Sequence, residues 1–202
     1  MVVFKILAIC AMLSPIIYTI MWIIGGIIVP GYSHIKKDVS SLFAVEAHKR
    51  WFFQSFFIIA SALLLVFFGG MHWGVNNGTG SIAGPILLII ASVIGLIVAC
   101  FFPLDVGGEV KTWRGKGHFS LIVITGIITI VGMILMFVRL RLVTGWIGFA
   151  IFSLVIAIIS VILVIITGIF AGSDYMGLVE RFMVSTYQIY YFVFGFMVYI
   201  TN

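Results

Sequence analysis

Six long apolar runs, each separated from the next by a short polar stretch, set the pattern of this chain. They cover about residues 6–29, 51–70, 82–102, 118–138, 145–171 and 182–200. Each approaches the roughly 20 residues that an α-helix needs to cross a hydrocarbon core about 30 Å thick. In lipid a backbone can satisfy its polar groups only within its own segment or in a closed barrel, so runs of this length predict helices. The expected fold is all-α: a polytopic membrane protein with six transmembrane helices in one bundle, residues 1–202 forming a single domain. Lys5 followed by an apolar stretch has the outline of a signal peptide, but the run continues to about Val29 with no clear small-residue cleavage site, which favours a retained first span. Pro15 inside that span is expected to kink it.

The interruptions differ in character. Residues 30–50 hold Tyr32, His34, Lys36, Lys37, Asp38, Ser40, Ser41, Glu46, His48, Lys49 and Arg50, and predict a short interfacial helix before Trp51 anchors the second span. Residues 71–81 read as a turn without Lys or Arg, and Asn77-Gly78-Thr79 matches a glycosylation sequon that nothing else in the chain supports. The third interruption, Phe101-Phe102-Pro103-Leu104-Asp105-Val106-Gly107-Gly108, runs through Glu109 to Gly117 and ends at His118.

Composition agrees with this reading: 63% of residues are hydrophobic and 8% charged, a balance no soluble domain of this size can hide. The net charge of +5 comes from short loops beside apolar runs rather than from a basic stripe with interleaved aromatics, so no nucleic-acid partner is expected. Cys10 and Cys100 lie inside predicted spans without metal-ligand or CxxC spacing and read as small core residues.

Six spans place both termini on one side, together with Lys5, Arg139 and Arg141, whereas Lys36, Lys37, Lys49, Arg50, Lys111, Arg114, Lys116 and Arg181 lie on the other. The positive-inside bias then puts the three polar loops in the cytoplasm and the termini outside the cell membrane. The same side carries all six acids and three of the four histidines. Any site is expected there, in loops 30–50, 103–117 and 172–181.

Asp105 and His118 are the candidate catalytic pair, an acid that would orient an imidazole for proton transfer or share a metal with it. Against this stands a plain structural reading, in which Asp105 pins its loop through Lys111, Arg114 or Lys116. Ser41, His48, Lys111, Arg114, Glu180 and Arg181 are the candidate binding residues. A serine, a histidine and an aspartate lie on one face, but no GxSxG elbow supports a hydrolase triad. His34, His48, His118 and Asp105 have zinc-ligand chemistry without HExxH or HxxxH spacing, so no metal site is assigned. No cofactor is named by any motif: P-loop, dinucleotide fingerprint, midspan carboxylate and paired haem histidines are all missing. Ser185, Thr186, Tyr187, Gln188, Tyr190 and Tyr191 make the last span polar and read as glue between helices, with Gln54 expected to face them.

Several short motifs in a fixed order then resemble a known family. Asp38-Val39-Ser40-Ser41-Leu42 precedes span two, Phe102-Pro103-Leu104-Asp105 closes span three, His118 opens span four and Glu180-Arg181 opens span six. With six spans, this resembles the membrane proteins grouped as domain of unknown function 998. The resemblance implies a six-helix fold and a joint importance of Ser41, Asp105, His118, Glu180 and Arg181, but no activity. A more distant similarity, to Frag1, DRAM and Sfk1 type membrane proteins, rests on span count and on a histidine after span three.

The leading expectation is a non-enzymatic membrane protein whose polar face binds an anionic lipid headgroup or small amphiphile. Arg181, Lys111 and Arg114 supply the positive charge in this reading. A lipid-modifying enzyme with an Asp105/His118 site is the alternative. A third is an accessory subunit, meeting itself or another chain through glycine faces such as Gly126 with Gly132 or Gly168 with Gly172.

Overall fold

The computed structural model describes residues 2–202. Six helices are long and apolar enough to cross a membrane: α1 (Val2–Ile28), α2 (Arg50–Gly74), α3 (Ala83–Phe101), α4 (Trp113–Leu140), α5 (Ile147–Ile169) and α6 (Met176–Thr201). No strand occurs among the described residues. Each helix packs on its neighbours in the chain, and α1 also packs on α6, so the bundle closes as a ring in sequence order. Short connections between antiparallel neighbours produce this arrangement with little cost in loop closure.

Side chains divide by solvent, with lipid taking the place of water. Ile151, Val155, Ile158, Ile162, Ile165 and Ile169 of α5 face outward, where hydrocarbon makes their exposure favourable. The interior is aromatic. Phe67 and Phe68 of α2, Phe149 of α5, and Tyr190, Tyr191 and Phe194 of α6 are buried together, with the Phe149 and Phe194 rings 4.6 Å apart. Polar side chains inside the bundle hold helix to helix: Ser14 donates to the Ala60 carbonyl of α2 at 2.8 Å, and Ser160 meets Thr186 of α6 at 2.7 Å. Gln54 does not face α6 as expected. Its amide donates to the Ala99 carbonyl near the end of α3 at 2.5 Å, because ring order makes α3 the neighbour of that side of α2.

The two ends of the bundle are built differently. At one end lie both termini and the connections 75–82 and 141–146; at the other lie the connections 29–49, 102–112 and 170–175. The latter is the polar end. Its longest connection contains no interfacial α-helix, only a 3-10 turn over Ser40–Phe43. Two of its amides are captured by carboxylates instead: Asp38 Oδ1 accepts from Ser41 N at 2.7 Å and Glu180 Oε2 accepts from Val39 N at 2.8 Å. Val39, Leu42 and Phe43 then dip among Tyr18 and Met21 of α1 and Phe53 and Ala60 of α2. The connection is thus folded into the bundle and not laid on its surface.

Candidate functional site

The start of α4 explains why Asp105 lies where it does. Phe102 and Pro103 end α3, and the chain turns through Val106–Gly108 with Gly107 and Gly108 at φ 76° and 82°, values that favour glycine. Asp105 then faces the incoming strand of backbone. Its Oδ2 accepts from the amides of Lys111 and Thr112 at 2.6 and 2.7 Å, and its Oδ1 accepts the Thr112 hydroxyl at 2.6 Å. Thr112 in turn caps α4, accepting from Gly115 N at 3.3 Å. These donors, the Thr112 hydroxyl foremost and its amide next, hold the Asp105 carboxyl below the ordinary carboxylate range. A β-carbon at Gly115 would lie 2.9 Å from the Asp105 carboxyl carbon, so the carboxylate fits only against glycine.

This capping starts α4 at Trp113, and His118 therefore lies one turn inside the helix instead of opening it. The ring is 4% exposed. Its Nδ1 is 2.6 Å from the Phe102 carbonyl oxygen and its Nε2 is 3.2 Å from Ser40 Oγ. Asp105 does not orient the imidazole, because its oxygens are taken by the loop. The backbone carbonyl of Phe102 does so instead.

Glu180 and Arg181 lie in the second turn of α6, which begins at Met176. They fasten the 29–49 connection by opposite means. Glu180 takes the Val39 amide, while Arg181 Nη1 donates to the carbonyls of His34, Lys37 and Gly177 at 2.7, 2.9 and 2.7 Å, and Nη2 donates to the Tyr32 hydroxyl. The guanidinium also lies 5.5 Å from the Trp22 ring centroid and 5.6 Å from that of Tyr32, both within cation–π range. Arg181 is 8% exposed. Both terminal nitrogens are engaged by the connection, so it is a structural cation and not one offered to a headgroup. Gly177 makes the approach possible: a β-carbon there would come within 2.8 Å of the His34 carbonyl oxygen and 2.7 Å of the Lys37 carbonyl carbon.

The remaining candidates separate. Ser41 donates its hydroxyl to the Asp38 carbonyl at 2.8 Å and serves the turn. His48 is exposed in the chain leading to α2, and Lys111 is exposed and paired with Glu109 at 2.6 Å, a contact of the kind worth about 0–1 kcal/mol at a surface. Arg114 is exposed beside Trp113, its guanidinium 5.4 Å from the ring centroid, and Arg50 stands 4.7 Å from the ring of Trp51. Among the described residues no three His, Cys, Asp or Glu side chains gather to hold a metal ion, so the zinc arrangement of His34, His48, His118 and Asp105 does not form. His34 is packed edge-on against Trp22 and Tyr32, at 5.3 and 5.5 Å. Burial, then the charge of Arg181, lowers its pKa from the ordinary value.

Two residues missing from the sequence-based candidates are central to this end of the molecule. Ser40 is the hydroxyl that meets His118. Asp38 closes the turn beneath it; burial raises its pKa, offset in part by the Ser41 amide, the charge of His118, the Ser41 hydroxyl and the charge of Arg181. Both stand in the Asp38-Val39-Ser40-Ser41 motif, but only the fold brings His118 to Ser40 across 78 positions.

The motifs that order these contacts span nearly the whole chain, and a family described as "Protein of unknown function (DUF998)" matches residues 12–197. The chain belongs to this family. It is a multi-pass membrane protein by its six helices. No curated protein and no solved structure matches it, so the fold-level likeness to Frag1, DRAM and Sfk1 type proteins gains no support. In this family member the glycine faces also resolve: a β-carbon at Gly132 would meet Leu88 of α3 at 2.9 Å, placing that glycine within the bundle, whereas Gly168 has open space around it.

Proposed function

We propose that the polar end holds the headgroup of an anionic lipid between the starts of α2 and α4. One observation carries this reading: Arg50 and Arg114 stand beside outward aromatic rings and make no ion pair, whereas the exposed Lys36 and Lys111 are paired with Asp174 and Glu109. Trp51 and Trp113 are 73% and 68% exposed, and each has an arginine beside its ring. Indole rings settle at the membrane–water boundary, which puts Arg50 and Arg114 at phosphate level. Arginine presents a planar fork suited to a phosphate.

Two shallow clefts lie at this end, one lined by Arg50 and Trp51 and the other by Arg114. One, of about 450 Å³, is lined by Glu46, Ala47, Lys49, Arg50, Trp51 and Phe52. The other, of about 330 Å³, is lined by residues including Val45, Asp105, Lys111, Thr112 and Arg114. The Val45 amide donates to the Leu104 carbonyl at 2.9 Å and ties the connection before α2 to the one before α4. Arg181, one of the three cations expected there by sequence, drops out of the binding set, and Lys49 and Arg50 enter it.

In this reading the polar end faces the cytoplasm and the termini face the other side. Setting aside the buried arginine on each side, Arg139 and Arg181, leaves the excess of basic residues at the polar end. Native mass spectrometry from nanodiscs of mixed anionic and zwitterionic phospholipid tests the binding. The expected result is preferential retention of the anionic lipid, lost in an Arg50→Gln/Arg114→Gln variant. Equal retention of both lipids by the wild type would overturn the reading.

A further inference from the structure

We propose that Ser40 and His118 form an acyl-transfer pair that cleaves a carboxylic ester at the membrane surface, with Ser40 as nucleophile and His118 as its base. The Phe102 carbonyl oxygen can only accept a hydrogen bond, so in the neutral ring Nδ1 carries the proton and donates to it at 2.6 Å. The lone pair of Nε2 therefore points at Ser40 Oγ, 3.2 Å away. That is the orientation in which an imidazole draws the proton from a hydroxyl. Here a carbonyl takes the place of the carboxylate that commonly fixes the ring. Asp38, near enough to sense the charge of His118, supplies negative potential for the imidazolium that forms.

The neighbouring serines show the contrast. Ser41 spends its hydroxyl on the Asp38 carbonyl at 2.8 Å, whereas the hydroxyl of Ser40 meets only His118 among the described residues. The backbone on either side of Ser40 is held: Val39 N by Glu180 and Ser41 N by Asp38. A nucleophile fixed from both sides, with its base locked by a third element, has the preorganisation that catalysis needs. Burial is divided suitably as well. His118 is 4% exposed and shielded from water, and Ser40 is partly exposed.

The step balances without a cofactor. Ser40 Oγ bonds to the ester carbonyl carbon while its proton passes to His118 Nε2. The tetrahedral intermediate collapses with cleavage of the carbon–oxygen bond to the alcohol, which leaves with the proton from Nε2. Water then attacks the acyl-serine with His118 again as base, releasing a carboxylic acid and restoring Ser40. The substrate class follows from location, since the pair lies at the same end as Trp51 and Trp113, where the ester bonds of a lipid lie. Only this choice of substrate rests on the headgroup reading; the pair itself does not.

A fluorophosphonate probe on the full chain in nanodiscs tests the pair without a lipid substrate, and peptide mapping locates any adduct. A phosphonyl adduct on Ser40 is expected in the wild type and in Ser120→Ala, which removes an exposed serine of α4, no adduct in Ser40→Ala, and a labelling rate about 100-fold lower in His118→Gln. Unlabelled Ser40 in wild-type protein shown to be folded by its thermal transition would overturn the proposal. So would equal labelling of His118→Gln. Because the wild-type adduct decides, destabilisation of either variant does not obscure the outcome. Loss of lipid selectivity with Ser40 still labelled would remove the headgroup reading alone.

Discussion

Arg139 and Arg181 solve the same problem at opposite ends of the bundle. Arg139, 9% exposed near the end of α4, donates to the carbonyls of His72, Val75 and Thr79 at 3.3, 3.3 and 2.8 Å and to His72 Nδ1 at 3.0 Å. It closes the connection between α2 and α3. Arg181 closes the connection between α1 and α2 through the carbonyls of His34 and Lys37 and the Tyr32 hydroxyl, and also donates to Gly177 of its own helix. Neither pairs with an acid: the ion pairs among the described residues are Lys36 with Asp174 and Lys111 with Glu109, both exposed. Buried carbonyls need donors, and one guanidinium serves several at once. At the terminus-bearing end that device is sufficient. The polar end adds Asp38, Glu180, Asp105, Ser40 and His118, more ionisable chemistry than closing a turn requires. In or near a membrane such groups are costly and mark function. The comparison therefore separates scaffold, present at both ends, from candidate site, present at one.

The largest expected effect sharpens the scaffold half of this comparison. Arg181→Ala leaves the His34 and Lys37 carbonyls and the Tyr32 hydroxyl without the guanidinium that serves them, and a loss of about 3 kcal/mol or more is expected. Arg139→Ala should cost a similar amount. Unfolding in detergent, followed by circular dichroism against denaturant, reads both; a silent Arg139→Ala would break the equivalence of the two ends. Next comes Gly177→Ala, which forces backbone apart where α6 meets the first connection and should cost about 1–3 kcal/mol. Gly168→Ala, in open space on α5, should change stability by less than about 0.5 kcal/mol.

A smaller effect concerns pH. Asp105 has a depressed carboxyl pKa in the folded protein, so the stability it contributes is complete above the ordinary carboxylate value and is lost as pH falls through the lower folded value. Unfolding of the wild type and Asp105→Asn, measured from neutral pH down to about 3, should show curves that converge on the acid side. A constant gap across that range would place the effect in packing instead of charge. The smallest effect on stability is expected for Arg50→Gln/Arg114→Gln, within about 0.5 kcal/mol, while binding of vesicles containing anionic lipid weakens by about 1 kcal/mol per residue removed. A thermal shift as large as that of Arg181→Ala would assign these arginines to the scaffold as well.

Hydropathy alone determined the six helices, because in a bilayer run length and backbone satisfaction leave few alternatives. The same logic located the polar end, since charge concentrates where the chain leaves lipid. Local chemistry misled at two points. Asp105 and His118 flank one loop and looked like partners, yet Thr112 caps α4 early and draws Asp105 to the loop amides. Arg181 looked like a ligand for phosphate, yet the carbonyls of a connection about 145 positions away engage its Nη1 and hold the buried guanidinium there. What only tertiary structure decided was which polar group meets which. Ser40 meets His118, Glu180 meets Val39 and Gln54 meets Ala99 because the ring of helices closes α1 against α6 and brings the first connection over the start of α4. A hydrogen bond reports distance in space, and no periodicity in the chain encodes a contact between residues so far apart.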